Sequence, residues 1–357
     1  MTFSRRGFVQ AIAGAGGLTA LRAQVAGPQT PPLTFLPEPR EKSTVAIVQG
    51  ESRRRNVQDA LVAIDHKIQP LLKRKKYVAI KVNNVSTTNQ LAATHADAIR
   101  GILDYLEPRT KMPVFIVESS AGDTMTGFEN FGYTKLAAEN RGRGLTLTDL
   151  NAEAQYRVIP LIDFDLHLQP VRLAARLLDP DAFIISAGIL KTHNTVVATL
   201  SVKNMVLGAP LHQAPKETPR WNDKRKYHTG IRQTHYNMLL TAQKLQPHWG
   251  VAVLDGYEGM EGNGPASGTP VASRIAIAST DFIAADRVGV ECMGINPAWP
   301  GYLNYCGQLG LGNYNLDQIY LIGEKITAVQ KKYRMHQDIE RELEWMGEMK
   351  DLPPKLG

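Results

Sequence analysis

The sequence predicts an α/β fold: a mostly parallel, Rossmann-like sheet with helices on both faces and a long inserted loop. Three observations carry this. Short β-branched apolar runs recur at residues 45–48, 77–82, 114–117, 183–186, 251–254 and 275–278. Stretches with helical spacing separate the early runs. Polar residues gather where several of the runs end. Strands that alternate with helices are covered on both sides, so each strand reads as a continuous apolar run.

In chain order, residues 1–26 hold Ser4-Arg5-Arg6-Gly7-Phe8-Val9, then a small apolar stretch at 11–21, with no acidic residue before Glu38. That is the pattern of a twin-arginine export signal. It implies recognition by export machinery that carries folded proteins, and a periplasmic or extracytoplasmic location. The apolar run is shorter than the roughly 20 residues of a membrane span. Residues 27–43 carry Pro28, Pro31, Pro32, Pro37 and Pro39 and read as an extended linker. The α/β domain is expected over 44–325. Within it, Val57, Leu61, Ile64, Ile68 and Leu72 share one helical face. Ala98, Ile102, Tyr105 and Leu106 share another, in a helix starting after Thr94. Over 209–226 the composition shifts to proline and charge, a loop of the kind used as a lid or binding loop. Residues 326–357 are a C-terminal helical extension, with a charged helix expected over 326–349.

Composition limits the function classes. The formal charge of +7 falls to +4 once the leader's three arginines, Arg5, Arg6 and Arg22, are set aside. That excess is too small to argue for nucleic acid, and Arg53-Arg54-Arg55 and Lys73-Arg74-Lys75-Lys76 read as solvated surface. No segment after the leader is apolar enough for a bilayer span. Cys292 and Cys306 are the chain's two cysteines. They cannot supply the four thiolates of an iron–sulfur cluster or of a Cys-only zinc site. They can pair in an oxidising compartment, or Cys292 can simply pack in an apolar helix.

The strand ends carry the candidate chemistry. Lys81-Val82-Asn83-Asn84 ends the second run and Glu118-Ser119-Ser120 the third. Lys191-Thr192-His193 follows the fourth, and Asp255-Gly256 ends the fifth. In a parallel sheet these ends share one edge, where ligands bind. A helix starting by Thr195 would place Thr195, Thr199 and Lys203 on one face, with free N–H groups at its start. Such an array suits a phosphate or carboxylate. His193, on the same face as Lys191 in an extended segment, is either a general acid/base or a metal ligand. His228 follows the long loop and can close over the site. The glycine-rich stretch 255–268 offers Asp255, Glu258 and Glu261 as oxygen ligands for a divalent metal ion, or is a plain turn. There is no P-loop, dinucleotide fingerprint or serine-nucleophile elbow.

Lys191-Thr-His193, Thr199-x-Ser-x-Lys203-Asn204, Gly208, Asp255 and Met260-Glu261-Gly262-Asn263-Gly264-Pro265-x-x-Gly268, with Lys81-x-Asn83, Glu118 and Asp281-x-x-Ala284-x-Asp286, occur together. The combination resembles the family called domain of unknown function 362, over residues 45–310. The resemblance implies an α/β fold and a shared site. Relatives are often fused to cysteine-rich ferredoxin-like modules, but this chain lacks those cysteines, which argues against an iron–sulfur cofactor.

The expectation is therefore an exported α/β protein, an enzyme acting on a small anionic molecule with a divalent metal ion as a candidate cofactor. The alternative is a non-catalytic periplasmic ligand-binding protein or an accessory subunit of a redox complex. Lys81, Asn83, Thr192, Thr199, Lys203, Asn204 and His228 would bind the substrate. His193, Glu118 and Lys191 would carry the catalysis, and Asp255 and Glu261 would hold the metal.

Overall fold

The computed structural model describes residues 41–214 and 216–348. The export-signal reading at 1–26, all but the last residues of the linker and the end of the extension lie outside the described residues. β1 (Ser43–Gln49) leads through α1 (Arg53–Ala63) and α2 (Asp65–Leu72) to β2 (Tyr77–Lys81). α3 (Ala96–Leu106) connects to β3 (Val114–Glu118), and α4 (Thr124–Asn130) and α5 (Tyr133–Glu139) to β4 (Leu145–Asp149). After α6 (Leu150–Glu153), β5 (Tyr156–Ile162) and β6 (Leu168–Ala174) pair as a separate antiparallel ribbon. The chain then re-enters the sheet as β7 (Ala182–His193), which β8 (Val197–Thr199) follows, and α7 (Ser201–Val206) comes next. α8 (Ile231–Leu245) precedes β9 (Trp249–Glu261), β10 (Thr269–Val271) and β11 (Ile275–Ser279). α9 (Phe282–Cys292), α10 (Gly301–Gln308), β12 (Ile319–Gly323), α11 (Ile326–Val329) and α12 (Ile339–Glu342) complete the described chain.

The main sheet runs β12-β1-β11-β9-β7-β2-β3-β4, and along this path only β11 opposes the rest. The mostly parallel α/β architecture is as expected, and the six apolar runs form β1, β2, β3, β7, β9 and β11. Alternation along the strands divides the core in two. Val78, Ile80, Phe183 and Ile185 pack with Val57 and Leu61 of α1 and Ile99 and Ile102 of α3. Ala79, Ile184, Ala252 and Leu254 point the other way, to Met205 of α7, Met238 of α8 and Val288 of α9. On α3, each of Ile99, Ile102 and Leu106, all fully buried, contributes roughly 1.5–3 kcal/mol. Its first turn is capped by His95, whose Nδ1 accepts from the Asp97 N–H at 3.1 Å.

Topology determines where a site forms. From β2 the chain moves outward through β3 to β4, then returns to lay β7 on the other side of β2. Strand order thus reverses between β2 and β7, and the crevice at their C-terminal ends is the usual ligand position of such sheets. Lys81 pairs with Ser186 in register, so β7 continues seven residues past the end of β2, to His193.

The structure differs from expectation in four places. β7 and β9 do not stop at Ser186 and Leu254 but run on as overhangs, paired by β8 and β10. Residues 195–203 are therefore not one helix. Val197 adopts a left-handed φ of 71°, β8 folds back so that Thr199 lies opposite Lys191, and α7 starts at Ser201. The threonine- and valine-rich run behaves as its β-branching favours. The face spanning 57–72 is divided between α1 and α2, broken at Ile64. Over 326–348 the expected helix is instead α11, an extended strap, and α12 followed directly by a 3₁₀ turn at Leu343–Met346. The N–H groups of Lys331 and Tyr333 bond to the carbonyls of Cys292 and Met293, and the Arg334 carbonyl accepts from Gly262, so tertiary pairing displaces the helical ladder. Cys292 and Cys306 are free, buried thiols.

Candidate functional site

At the β2/β7 reversal a cavity of about 500 Å³ opens. Lys81, Asn83 and Asn84 from the end of β2, Glu118, Ser119 and Ser120 from the end of β3, and His193 from β7 line it. Lys203 and Asn204 come from α7, and Lys224, Arg225 and His228 from the far end of the long loop.

Lys81 is 1% exposed, and its Nζ lies 2.6 Å from Glu118 Oε1, 2.7 Å from the Val82 carbonyl and 3.3 Å from Asn204 Oδ1. Glu118 is equally occupied: its Oε2 accepts from the Asn84 N–H (2.8 Å) and its Oε1 from the Ser119 N–H (2.7 Å). Burial lowers the Lys81 pKa, and the Glu118 carboxylate opposes that shift. Asn204 ties three elements together, donating to the Lys81 carbonyl (3.0 Å) and Ser186 Oγ (3.1 Å) and accepting from Asn83 Nδ2 (3.1 Å). A Cβ at Gly208 would collide with the Asn204 carbonyl oxygen as well as sitting 2.5 Å from Lys81 Nζ.

Lys191 is fully buried behind this network, donating to Asn83 Oδ1 (2.7 Å) and the Ala92 carbonyl (2.8 Å). It does not line the cavity. Its amine thus meets Asn83 and the Ala92 carbonyl behind the cavity rather than the cavity itself. Thr192 likewise turns away, donating to the Gly262 carbonyl at 2.8 Å. Thr199 is buried, its Oγ1 lacks a hydrogen-bond partner among the described residues, and it too is outside the cavity lining. The expected free N–H groups of the helix start are taken: Ser201 and Val202 donate to the buried carboxylate of Asp286, each at 2.8 Å.

Lys203 is different. It is 6% exposed and lines the cavity, yet among the described residues its Nζ makes no hydrogen bond or ion pair. Burial first, then the neighbouring Lys81 charge, pushes its pKa down to about 7. Lys224 donates to Ser119 Oγ (2.8 Å), and burial lowers its pKa to about 7 as well. His193 Nδ1 accepts from the Thr195 N–H (3.1 Å), so the neutral ring carries its proton on Nε2. Burial and then Lys203 hold the His193 pKa well below the usual histidine range. At the rim the edge of His228 reaches solvent, but desolvation of the rest of the ring, then Lys203 and Lys224, push its pKa down to about 4.

Asp255 and Glu261 are not part of the cavity lining. Asp255 is buried beside Arg53 (3.1 Å), and desolvation raises its pKa while Arg53 opposes the rise. Glu261 accepts from the Arg334 N–H at 2.9 Å. Among the described residues neither belongs to a group of three or more potential metal ligands; Asp163, Asp165 and His167 form such a group at the tip of the β5–β6 ribbon. The expected residues that the fold gathers are Lys81, Asn83, Glu118, His193, Lys203, Asn204 and His228. Lys224 and Arg225 were not expected individually. Their only sequence signal is the charge-rich end of the inserted loop.

A curated relative, a thylakoid-associated protein of Synechocystis sp., is 27% identical over 194 residues, covering 51% of this chain and 55% of its own. The chain thus spans about half the length of that relative. A crystal structure of a Thermotoga maritima protein aligns over 66% of this chain and 57% of its own, with 11% identity and a TM-score of 0.41. The sequence model of one family matches residues 78–291, a span containing every residue of the cavity lining. The chain belongs to the family described as a domain of unknown function, DUF362.

Proposed function

We propose that the cavity binds a small anion of the carboxylate or phosphate type and that the chain acts on it as an enzyme. The observation that carries this reading is the unmatched charge of the lining. Lys81, Lys203, Lys224 and Arg225 face a single carboxylate, Glu118, which Lys81 and two backbone N–H groups already fill. A buried ammonium without a protein acceptor costs free energy that a bound anion returns. Asn83 and Asn204 hold the lysines in place, and Lys224 and His228 make the loop part of the binding wall. His193, with Nε2–H available, is the group suited to donate a hydrogen bond to the bound molecule where charge develops on it. Glu118 serves better to position Lys81 than to exchange protons, since its oxygens are occupied. A divalent ion has weaker support, because arginine side chains or backbone already engage Asp255 and Glu261. If residues 1–26 act as an export signal, this chemistry takes place outside the cytoplasm.

Titration calorimetry with inorganic phosphate and with small carboxylates tests the reading. Lys203→Met is expected to weaken binding about tenfold or more, the scale of one charged hydrogen bond, while Lys73→Ala on the exposed surface leaves it unchanged. Equal losses in both variants, or no binding to the unmodified chain, would overturn it.

A further inference from the structure

We infer that Lys203 is a covalent site, an amine that condenses with the carbonyl group of a small anionic aldehyde or 2-oxo acid. This deepens the anion-site reading and rests on it.

The inference starts from a contrast among lysines that share one region. Each of Lys81, Lys191 and Lys224 places its Nζ against at least two oxygens: Glu118 and the Val82 carbonyl, Asn83 and the Ala92 carbonyl, Ser119 Oγ and the Leu207 carbonyl. Such acceptors occupy the directions from which an electrophile would come. Lys203 has none among the described residues, is 6% exposed, and opens into a cavity of about 500 Å³. A desolvated amine beside a second ammonium, here Lys81, favours its neutral, nucleophilic form.

The rest of the lining suits the same chemistry. Lys224 and Arg225 can take the carboxylate or phosphate of the incoming molecule. His193, its Nδ1 filled by the Thr195 N–H, offers Nε2–H to the carbonyl oxygen. In the step itself the Lys203 Nζ lone pair adds to the carbonyl carbon, and the C=O pair moves to oxygen, which takes a proton. The nitrogen gives up its two protons in turn, one balancing the proton taken by oxygen and one turning the hydroxyl into water, which leaves as the nitrogen lone pair closes the C=N bond. Amine and carbonyl become imine and water, so no oxidant or reductant is needed. The groups that face Lys203 and bear on its ionisation are Lys81 and Glu118 from β2 and β3, His193 from β7, and Lys224, Arg225 and His228 from the loop. The lowered Lys203 pKa, about 7, agrees with an amine partly neutral at physiological pH.

The test is reductive trapping. The full chain is incubated with pyruvate and cyanoborohydride, and adducts are located by intact mass and peptide mapping. The expected result is one adduct per chain, on Lys203, blocked by excess phosphate and forming faster as pH rises through about 7. Lys203→Arg keeps the charge but removes the nucleophilic amine, so the adduct should be lost. Mapping on the unmodified chain settles the question even if that variant misfolds. Adducts spread over exposed lysines such as Lys73, or no Lys203 adduct in a chain that binds phosphate, would overturn the inference and leave the anion site standing. Loss of both pyruvate trapping and phosphate binding would remove the anion site and the inference together.

Discussion

The floor and the wall of the cavity use the same residue types to opposite ends. In the floor, Lys81, Lys191, Asn83, Asn204 and Glu118 form a closed network in which each charge meets a partner. In the wall, Lys203 has no hydrogen-bond or ion-pair partner among the described residues, and Lys224 and His228 add positive or titratable groups beside it. A satisfied buried charge fixes a structure. An unsatisfied one stores a preference for something that is not protein. Strand ends supply the floor; a short helix and an inserted loop supply the wall.

This contrast separates stability from binding. Breaking the floor should have the largest effect: Glu118→Ala strands the Lys81 ammonium in the interior and should cost about 3–5 kcal/mol in denaturant unfolding. Next is Gly208→Ala, where the new Cβ would press on Lys81 Nζ; a loss of roughly 1–3 kcal/mol is expected from the same measurement. The wall should behave in reverse. Lys203→Met removes a charge that folding must desolvate, so its unfolding midpoint should hold steady or rise slightly while anion binding falls. The substitution should also change the pH dependence of stability. The folded pKa of Lys203, about 7, lies below the unfolded lysine value of about 10.4, so between those pH values the unfolded chain binds the extra proton. Stability contributed by this group therefore rises with pH across that window, and Lys203→Met should flatten the slope. Phosphate, which favours the charged amine, should give a larger thermal shift at pH 6 than at pH 9.

Much of the floor was legible in the sequence because it sits at strand ends. Apolar runs followed at once by Lys81-x-Asn83 or Glu118 announce both the strand and the edge where polar groups emerge. The overhangs were harder to see. Lys191 and Asp255 follow apolar runs just as Lys81 does, yet β7 and β9 continue through them, paired with each other and with β11 at Asp255 and capped further out by β8 and β10. This placed Lys191 behind the cavity and Asp255 beside Arg53. The Thr195–Lys203 segment misled because threonine spacing fits a helix, while β-branching and the turn at Val197 favour a hairpin. Lys224 was hidden for another reason. A loop's charge density shows in its composition, but which of Lys224, Arg225 and Lys226 turns inward depends on the 3₁₀ turn at Asp223–Tyr227.

The most direct test of the division between floor and wall is to measure phosphate affinity and unfolding free energy together on Lys203→Met. Unchanged or improved stability with at least about a tenfold loss of affinity is the predicted result. A chain that is destabilised like Glu118→Ala, or that binds phosphate as well as before, would contradict the account.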